Sequence, residues 1–125
     1  MAVLDLDKFK ALNDSRGHHI GDMALKLLAD ILRKHTRKTD SIGRLGGDEF
    51  AILMPNTRGV DCVSLCHQLC EKIESGMAAS GFKITSSIGY STYTQSPESS
   101  LQALRRTNQA MYVAKATGNS CAAAR

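Results

Sequence analysis

The chain has 125 residues, enough for one domain that buries roughly two-thirds of the surface its unfolded chain exposes. It contains no secretory segment and no apolar run near the ~18 residues of a membrane span, so we expect a soluble, cytoplasmic domain. A formal net charge of +4 would suit a nucleotide, a nucleic acid or a membrane surface, but basic residues without interleaved aromatic ones argue against a nucleic-acid groove.

The first predicted element is a strand over residues 2–7, where an apolar run alternates at its end with Asp5 and Asp7. A short helix from Lys8 to about residue 15 follows, because Phe9 and Leu12 are three residues apart and share a side. Lys10 lies on a different side of this helix. Taken alone, Lys10 is best interpreted as a solvated helix lysine.

A turn at residues 17–19 leads into a long predicted helix. Asn13 and Asp22 lie on either side of this turn, where Asn and Asp most often act as caps and turn formers. The helix is amphipathic and is expected to cover a sheet. Its predicted apolar stripe consists of Ile20, Met23, Ala24, Leu27, Leu28, Ile31 and Leu32.

Residues 41–55 predict a β-hairpin, because two short apolar runs flank Gly46 and Gly47. Asp48 and Glu49 follow the turn directly, and as neighbours on a strand they should point to opposite faces. If the first strand lies beside this hairpin, Asp5 comes level with Asp48, and the carboxylates converge. Such a cluster suits a hard divalent cation such as Mg²⁺, whereas the hairpin alone favours a solvated acidic turn.

Arg37 and Asp40 lie three residues apart, shortly before the hairpin. The ordinary interpretation is favourable helix C-terminal electrostatics combined with a capping turn.

The remaining elements are predicted from apolar periodicity. A third helix covers about residues 60–79 and places Cys62, Cys66 and Cys70 on one side as small core residues, which is favoured over metal binding. A strand within residues 81–94 lies near the centre of the sheet, and Gly89 marks a bulge or close packing. The last helix is predicted to face inward through Leu101, Leu104, Met111 and Ala114, and a final edge strand is conceivable.

Motifs spread over nearly the whole chain resemble those of the GGDEF family of diguanylate cyclases, which condense two GTP molecules into cyclic di-GMP and pyrophosphate. The resemblance implies an α/β (α+β) fold with a mainly antiparallel central sheet covered by helices, like the palm-like core of nucleotidyl cyclases and many polymerases. The motifs are Leu4-Asp-Leu-Asp-Lys-Phe-Lys10, Asn13-Asp14, Gly17-His18, Gly21-Asp22, Arg44-Leu-Gly-Gly-Asp-Glu-Phe50, Ser87-Ile-Gly89 and Tyr112-Val-Ala-Lys115.

The resemblance also implies roles for individual residues. The metal, Mg²⁺ or Mn²⁺, would be held by Asp5, the carbonyl of Leu6 and Asp48. Asp48 and Glu49 would be catalytic, and Arg37 with Asp40 would form a product-inhibition site for cyclic di-GMP. The substrate-binding residues would be Lys10, Asn13, His18, Asp22 and Lys115. Within this set, Asn13 and Asp22 would read guanine. A carboxylate accepts hydrogen bonds from the N1–H and the exocyclic amine of guanine, a pair of donors that adenine lacks.

Two departures from the family pattern affect these expectations. Asn119 stands where the family has an arginine, which weakens the expected grip on the triphosphate. Residues 1–125 are also expected to be a GGDEF domain without the usual segment before its first strand, from a longer signalling protein with an upstream sensory or regulatory domain. Because one domain holds one GTP, catalysis should require a homodimer. The alternative is a weak or catalytically silent module that binds GTP or cyclic di-GMP.

Overall fold

The computed structural model describes residues 1–97, 99–118 and 120–124. This part of the chain forms one sheet and two layers of helices in the predicted order, ending with the edge strand. The elements are β1 (Ala2–Leu6), α1 (Phe9–Arg16), α2 (His18–His35), β2 (Ser41–Gly46), β3 (Glu49–Leu53), α3 (Gly59–Ala79), β4 (Ser86–Tyr90), α4 (Ser100–Thr117) and β5 (Cys121–Ala123). No helix in these ranges is both long and apolar enough to cross a membrane.

The sheet has the strand order β2-β3-β1-β4-β5. The pairs β2–β3, β1–β3 and β1–β4 are antiparallel, whereas β4–β5 is parallel. The central strand, β1, is buried along its whole length, so its apolar residues require cover on both faces. The predicted mainly antiparallel sheet covered by helices is confirmed.

Alternation along β1 separates two packing surfaces. Ala2, Leu4 and Leu6 join the large core that α2 and α3 close. Val3 and Asp5 therefore point to the opposite face, because successive side chains of a strand alternate. That second face is covered by α4, which brings a charged end of β1 beside this helix.

Helix α4 approaches β4 very closely, and Gly89 is the reason. A Cβ atom at Gly89 would lie 2.2 Å from the backbone nitrogen of Met111 and 2.4 Å from the carbonyl oxygen of Thr107. The prediction of close packing at Gly89 is confirmed. The helix uses small residues at this contact, since Ala103, Thr107, Ala110 and Ala114 form most of its buried stripe.

Three expectations need correction. The register pairs Leu4 with Phe50, and its continuation puts Leu6, rather than Asp5, level with Asp48. Met23 and Leu101 were expected inside, but their exposed fractions are 49% and 56%. On α4 the small residues form the contact with the sheet, so Leu101 lies outside the core. On α2, Leu25 is buried and Met23 is not.

Candidate active site

The hairpin tip holds the Asp48 carboxylate against the end of β1. Gly47 has φ +51°, as the predicted turn requires, and the Arg44 guanidinium donates to its carbonyl through Nε at 2.9 Å and Nη2 at 2.7 Å. The backbone N–H of Leu6 then donates to Oδ2 of Asp48 at 3.2 Å. The predicted approach of the first strand to the acidic turn is therefore present.

Asp5 is the buried carboxylate of this site, with 7% of its surface exposed. Its Oδ1 atom forms an ion pair with Nζ of Lys115 at 2.7 Å. The pKa of Asp5 is raised to about 6, chiefly by burial, with a smaller raising effect from the charges of Asp48 and Glu49 that opposes the lowering effect of Lys115. Asp48 and Glu49 thus lie close enough to Asp5 to disfavour its ionised form.

Asp7 belongs to the same cluster, although the sequence pattern alone assigns it no role. Its carboxylate accepts from Ser87 Oγ and Thr85 Oγ1, both at 2.6 Å, and from Lys115 Nζ at 3.1 Å. Burial alone would raise the pKa of Asp7, but these hydrogen bonds lower it below its ordinary value. The available signal was the spacing of Asp5 and Asp7, which puts both on the α4 side of β1.

Lys115 therefore sits between two carboxylates. Burial would lower the pKa of this lysine, but its hydrogen bonds to Asp5 and Asp7 raise it, so the ammonium form is strongly favoured. The side chain retains 27% exposure. A fixed cation that is still reachable from solvent is suited to a phosphate group.

A cavity of about 440 Å³ opens beside this ion-pair cluster. Its lining includes Asp7, Lys8, Ser87, Lys115 and Ser120. Glu49 contacts the same helix as Lys115, because its Oε1 accepts a hydrogen bond from the hydroxyl of Tyr112 on α4 at 3.5 Å. The site thus combines acidic groups, a fixed ammonium and open volume.

The donor set is of the right kind for a hard divalent cation, which prefers oxygen ligands. Burial, together with the nearby charges of Asp48 and Glu49, disfavours the ionised form of Asp5, so a bound cation would stabilise that form. Across residues 1–97, 99–118 and 120–124, no group of three or more His, Cys, Asp or Glu side chains is arranged to hold a metal. The expected set uses two carboxylates and a backbone carbonyl, so it does not depend on such a group.

The expected guanine readers lie at the α1–α2 turn. A Cβ atom at Gly21 would come 1.7 Å from Oδ1 of Asn13, so only glycine leaves room for that amide. Oδ1 of Asn13 is buried without a hydrogen-bond partner among the described residues. Asp22 is exposed and lines a separate cavity of about 510 Å³ with Lys26, Arg33 and Arg44. Lys10 and His18 are exposed on α1 and at the start of α2.

Arg37 and Asp40 form an ion pair at the other end of β2 from the hairpin tip. Nη2 of Arg37 contacts Oδ1 of Asp40 at 2.9 Å and also donates to the carbonyl of Pro55 and the hydroxyl of Thr57. The hydrogen bond with Asp40 raises the pKa of Arg37. The arginine side chain remains 45% exposed. Asn119, the position of the expected arginine, lies outside the described residues.

Residues 1–121 match the model of the family described as "Diguanylate cyclase, GGDEF domain". The chain therefore belongs to the GGDEF family, which confirms the resemblance.

Three known proteins illustrate this relationship. The chain is 38% identical over 125 residues to diguanylate cyclase DgcP of Pseudomonas aeruginosa, a match that covers 94% of this chain and 18% of DgcP. It is 35% identical to the cyclic di-GMP phosphodiesterase NbdA of the same organism, over 92% of this chain and 15% of NbdA. The GGDEF domain of DgcB from Caulobacter crescentus, solved in complex with c-di-GMP, superimposes with a TM-score of 0.87 at 28% identity, covering 98% of this chain and 75% of that one. The chain spans less than a fifth of the two relatives' lengths.

Proposed function

We propose that this chain is a diguanylate cyclase domain that joins two GTP molecules into cyclic di-GMP with release of pyrophosphate. The observation that carries the proposal is that Asp48 and Glu49 lie close enough to the buried Asp5 carboxylate to act on its charge, while Asp5 itself pairs with the ammonium of Lys115. In the reaction, the ribose 3′-hydroxyl of one GTP attacks the α-phosphorus of the other.

Asp5, Asp48 and the carbonyl of Leu6 would hold Mg²⁺ or Mn²⁺ in this proposal. When bound, such an ion neutralises phosphate charge and lowers the pKa of the attacking hydroxyl. Asp48 or Glu49 accepts the proton of that hydroxyl, since a carboxylate within hydrogen-bond reach can act as a general base.

The remaining side chains position the nucleotide. Lys115, held by Asp7, faces the phosphates together with Lys10. Asn13 and Asp22 read the guanine edge, and the absence of a side chain at Gly21 leaves room for the Asn13 amide. His18 lies beside this turn and completes the substrate-binding set.

Two identical domains must meet for the reaction, because each contributes one GTP to a symmetric product. An upstream sensory or regulatory domain of the parent protein would control this meeting in the cytoplasm. Arg37 and Asp40 provide product inhibition, since an exposed guanidinium at the far end of β2 is available to a phosphate of cyclic di-GMP.

The alternative function is a catalytically weak or silent module that binds GTP or cyclic di-GMP. One observation favours it: a protein known as a phosphodiesterase carries a segment similar to this chain.

Incubation with GTP and Mg²⁺, followed by identification of the product by mass, separates the two functions. A cyclase forms cyclic di-GMP, and its rate rises faster than linearly with protein concentration. Binding without product supports the alternative. Strict proportionality of rate to concentration down to dilute monomer would contradict the two-domain reaction.

A further inference from the structure

Two thiols from distant parts of the chain are in contact between α3 and the edge strand β5. Sγ of Cys70, on α3, lies 3.5 Å from Sγ of Cys121, the first residue of β5. The thiol of Cys70 also lies 3.4 Å from the carbonyl oxygen of Ser120, and Ser86 Oγ is 3.8 Å from its sulfur. The two cysteines are thus in direct contact although 51 positions separate them.

The environment distinguishes the two thiols chemically. The hydrogen bond between the two thiols lowers the pKa of Cys70, and the same contact together with burial raises the pKa of Cys121. The thiolate is the nucleophile in thiol oxidation, so Cys70 is the more reactive partner. Cys70 has 8% of its surface exposed and Cys121 is half-buried, so this pair is more accessible than Cys62 and Cys66. Cys62 and Cys66 are almost completely buried.

We propose that Cys70 and Cys121 are a site of reversible oxidation, at which hydrogen peroxide converts the contact into a disulfide. The Cys70 thiolate attacks one peroxide oxygen, so an S–O bond forms, the O–O bond breaks, and hydroxide leaves as water after taking up a proton. The thiolate of Cys121 then attacks the sulfur of Cys70, the S–S bond forms, and the S–O oxygen leaves as a second water. Two thiols lose two electrons and two protons, and peroxide is reduced to water.

The disulfide would fasten the last strand to the helical layer. β5 has three residues, and among the described residues it pairs with the sheet only through β4. A covalent link from its first residue to α3 restricts the unfolded chain across a long loop, which stabilises the folded state. Ser120, next to Cys121, lines the cavity that contains Asp7 and Lys115, so the link also fixes one wall of that cavity.

Mass mapping under oxidising conditions tests the proposal. The protein is treated with hydrogen peroxide, remaining thiols are alkylated, and trypsin digestion is carried out without reductant. Cleavage after Arg58, Lys72 and Lys115 gives peptides 59–72, with three cysteines, and 116–125, with Cys121. We expect these two peptides to be joined, with the mass of two hydrogen atoms missing, and to separate on reduction. Fragment spectra assign the linked cysteine within 59–72 in the unaltered sequence, so the result does not require a variant to fold.

Variants add a control. Cys70→Ala and Cys121→Ala should abolish the joined peptides and the rise in Tm that oxidation gives the original chain. Cys66→Ala, which removes a neighbouring buried thiol, should keep both. Linkage of Cys121 to Cys62 or Cys66, or recovery of Cys121 only as free thiol or sulfinic acid, would overturn the proposal. A Cys70–Cys121 disulfide without any rise in Tm would instead overturn the stabilising effect of the link between β5 and α3.

Discussion

The backbone N–H of Leu6 donates to the carboxylate of Asp48 at 3.2 Å, which joins the hairpin tip to the end of the central strand. Asp48 therefore has two properties that variants can separate: it carries a negative charge, and it accepts this hydrogen bond. Asp48→Asn keeps an acceptor and loses the charge, whereas Asp48→Ala loses both. We expect both variants to lose Mg²⁺-dependent formation of cyclic di-GMP, measured by mass.

Stability separates the same two variants. Only Asp48→Ala should lower the free energy of unfolding, by about 1 kcal/mol, because it leaves the N–H of Leu6 unpaired. Undiminished turnover in Asp48→Asn would remove the charge of this residue from the mechanism.

The position of Lys115 depends on Asp7 in this structure. Asp7→Asn retains hydrogen bonding to Thr85 and Ser87 but loses the ion pair with Lys115. We expect KM for GTP to rise several-fold with a smaller change in kcat, because the phosphate-binding ammonium is less well fixed. Steady-state kinetics measures both constants. Ser87→Ala is the matched control, since it removes one hydrogen bond to Asp7 and leaves the charge; an equal rise in KM in both variants contradicts the role of the ion pair.

Cation affinity should depend on the protonation of Asp5. The pKa of this carboxyl is raised to about 6 by burial, and a carboxylate ligand must be deprotonated to bind. Affinity for Mn²⁺ should therefore be nearly constant above pH 7 and fall toward about tenfold per pH unit well below 6. Calorimetric titration between pH 7.5 and 5 measures this. Asp5→Asn should bind Mn²⁺ weakly at every pH, and a wild-type affinity unchanged at pH 5 would exclude Asp5 as a ligand.

Gly21 has a measurable role in the turn that holds Asn13. Gly21→Ala would place a Cβ atom against Oδ1 of Asn13, so GTP should bind several-fold more weakly and its preference over ATP should fall. We also expect Gly21→Ala to lower the free energy of unfolding because of this clash. Helix propensity alone predicts the opposite, a gain in that free energy of up to about 1 kcal/mol. Gly43→Ala is the control, because its Cβ would meet nothing within 4 Å. Equal binding by both variants would argue against the guanine-reading turn.

Product inhibition should depend on Arg37. Arg37→Ala removes an exposed guanidinium that is oriented by Asp40, and turnover should then resist added cyclic di-GMP. Arg58 and Asp61 form an exposed ion pair with the same three-residue spacing, so Arg58→Ala tests whether loss of any such arginine has this effect. The role of Arg37 is rejected if added product inhibits Arg37→Ala and the original chain equally.

The sequence predicts the elements well where one periodicity dominates. Leu28, Ile31 and Leu32 on α2, and Cys62, Cys66 and Cys70 on α3, are buried as expected. The hairpin follows directly from the glycines and the alternation after them. The prediction that Leu101 is buried is wrong because α4 packs onto Gly89 through small residues. Hydrophobicity alone does not reveal which face of a helix can approach a sheet most closely.

The candidate site is predictable in composition and less so in geometry. Motifs locate Asp5, Asp48 and Lys115. The ion pair of Asp5 with Lys115, however, depends on the approach of α4, and the hydrogen bond of Asp48 with Leu6 depends on the register of β1 with β3. A shift of one residue was enough to place Asp48 beside Leu6. Asp7 was missed because its importance comes from Thr85 and Ser87, which reach it only after the chain has folded.

The glycine under α4 controls more than local packing. Met111, whose backbone lies against Gly89, is one helical turn before Lys115, so any side chain at position 89 that lifted the helix would also carry the lysine away from its carboxylates. A substitution at this uncharged glycine would thereby disrupt the site formed by Asp5, Asp7 and Lys115 without altering any charged residue.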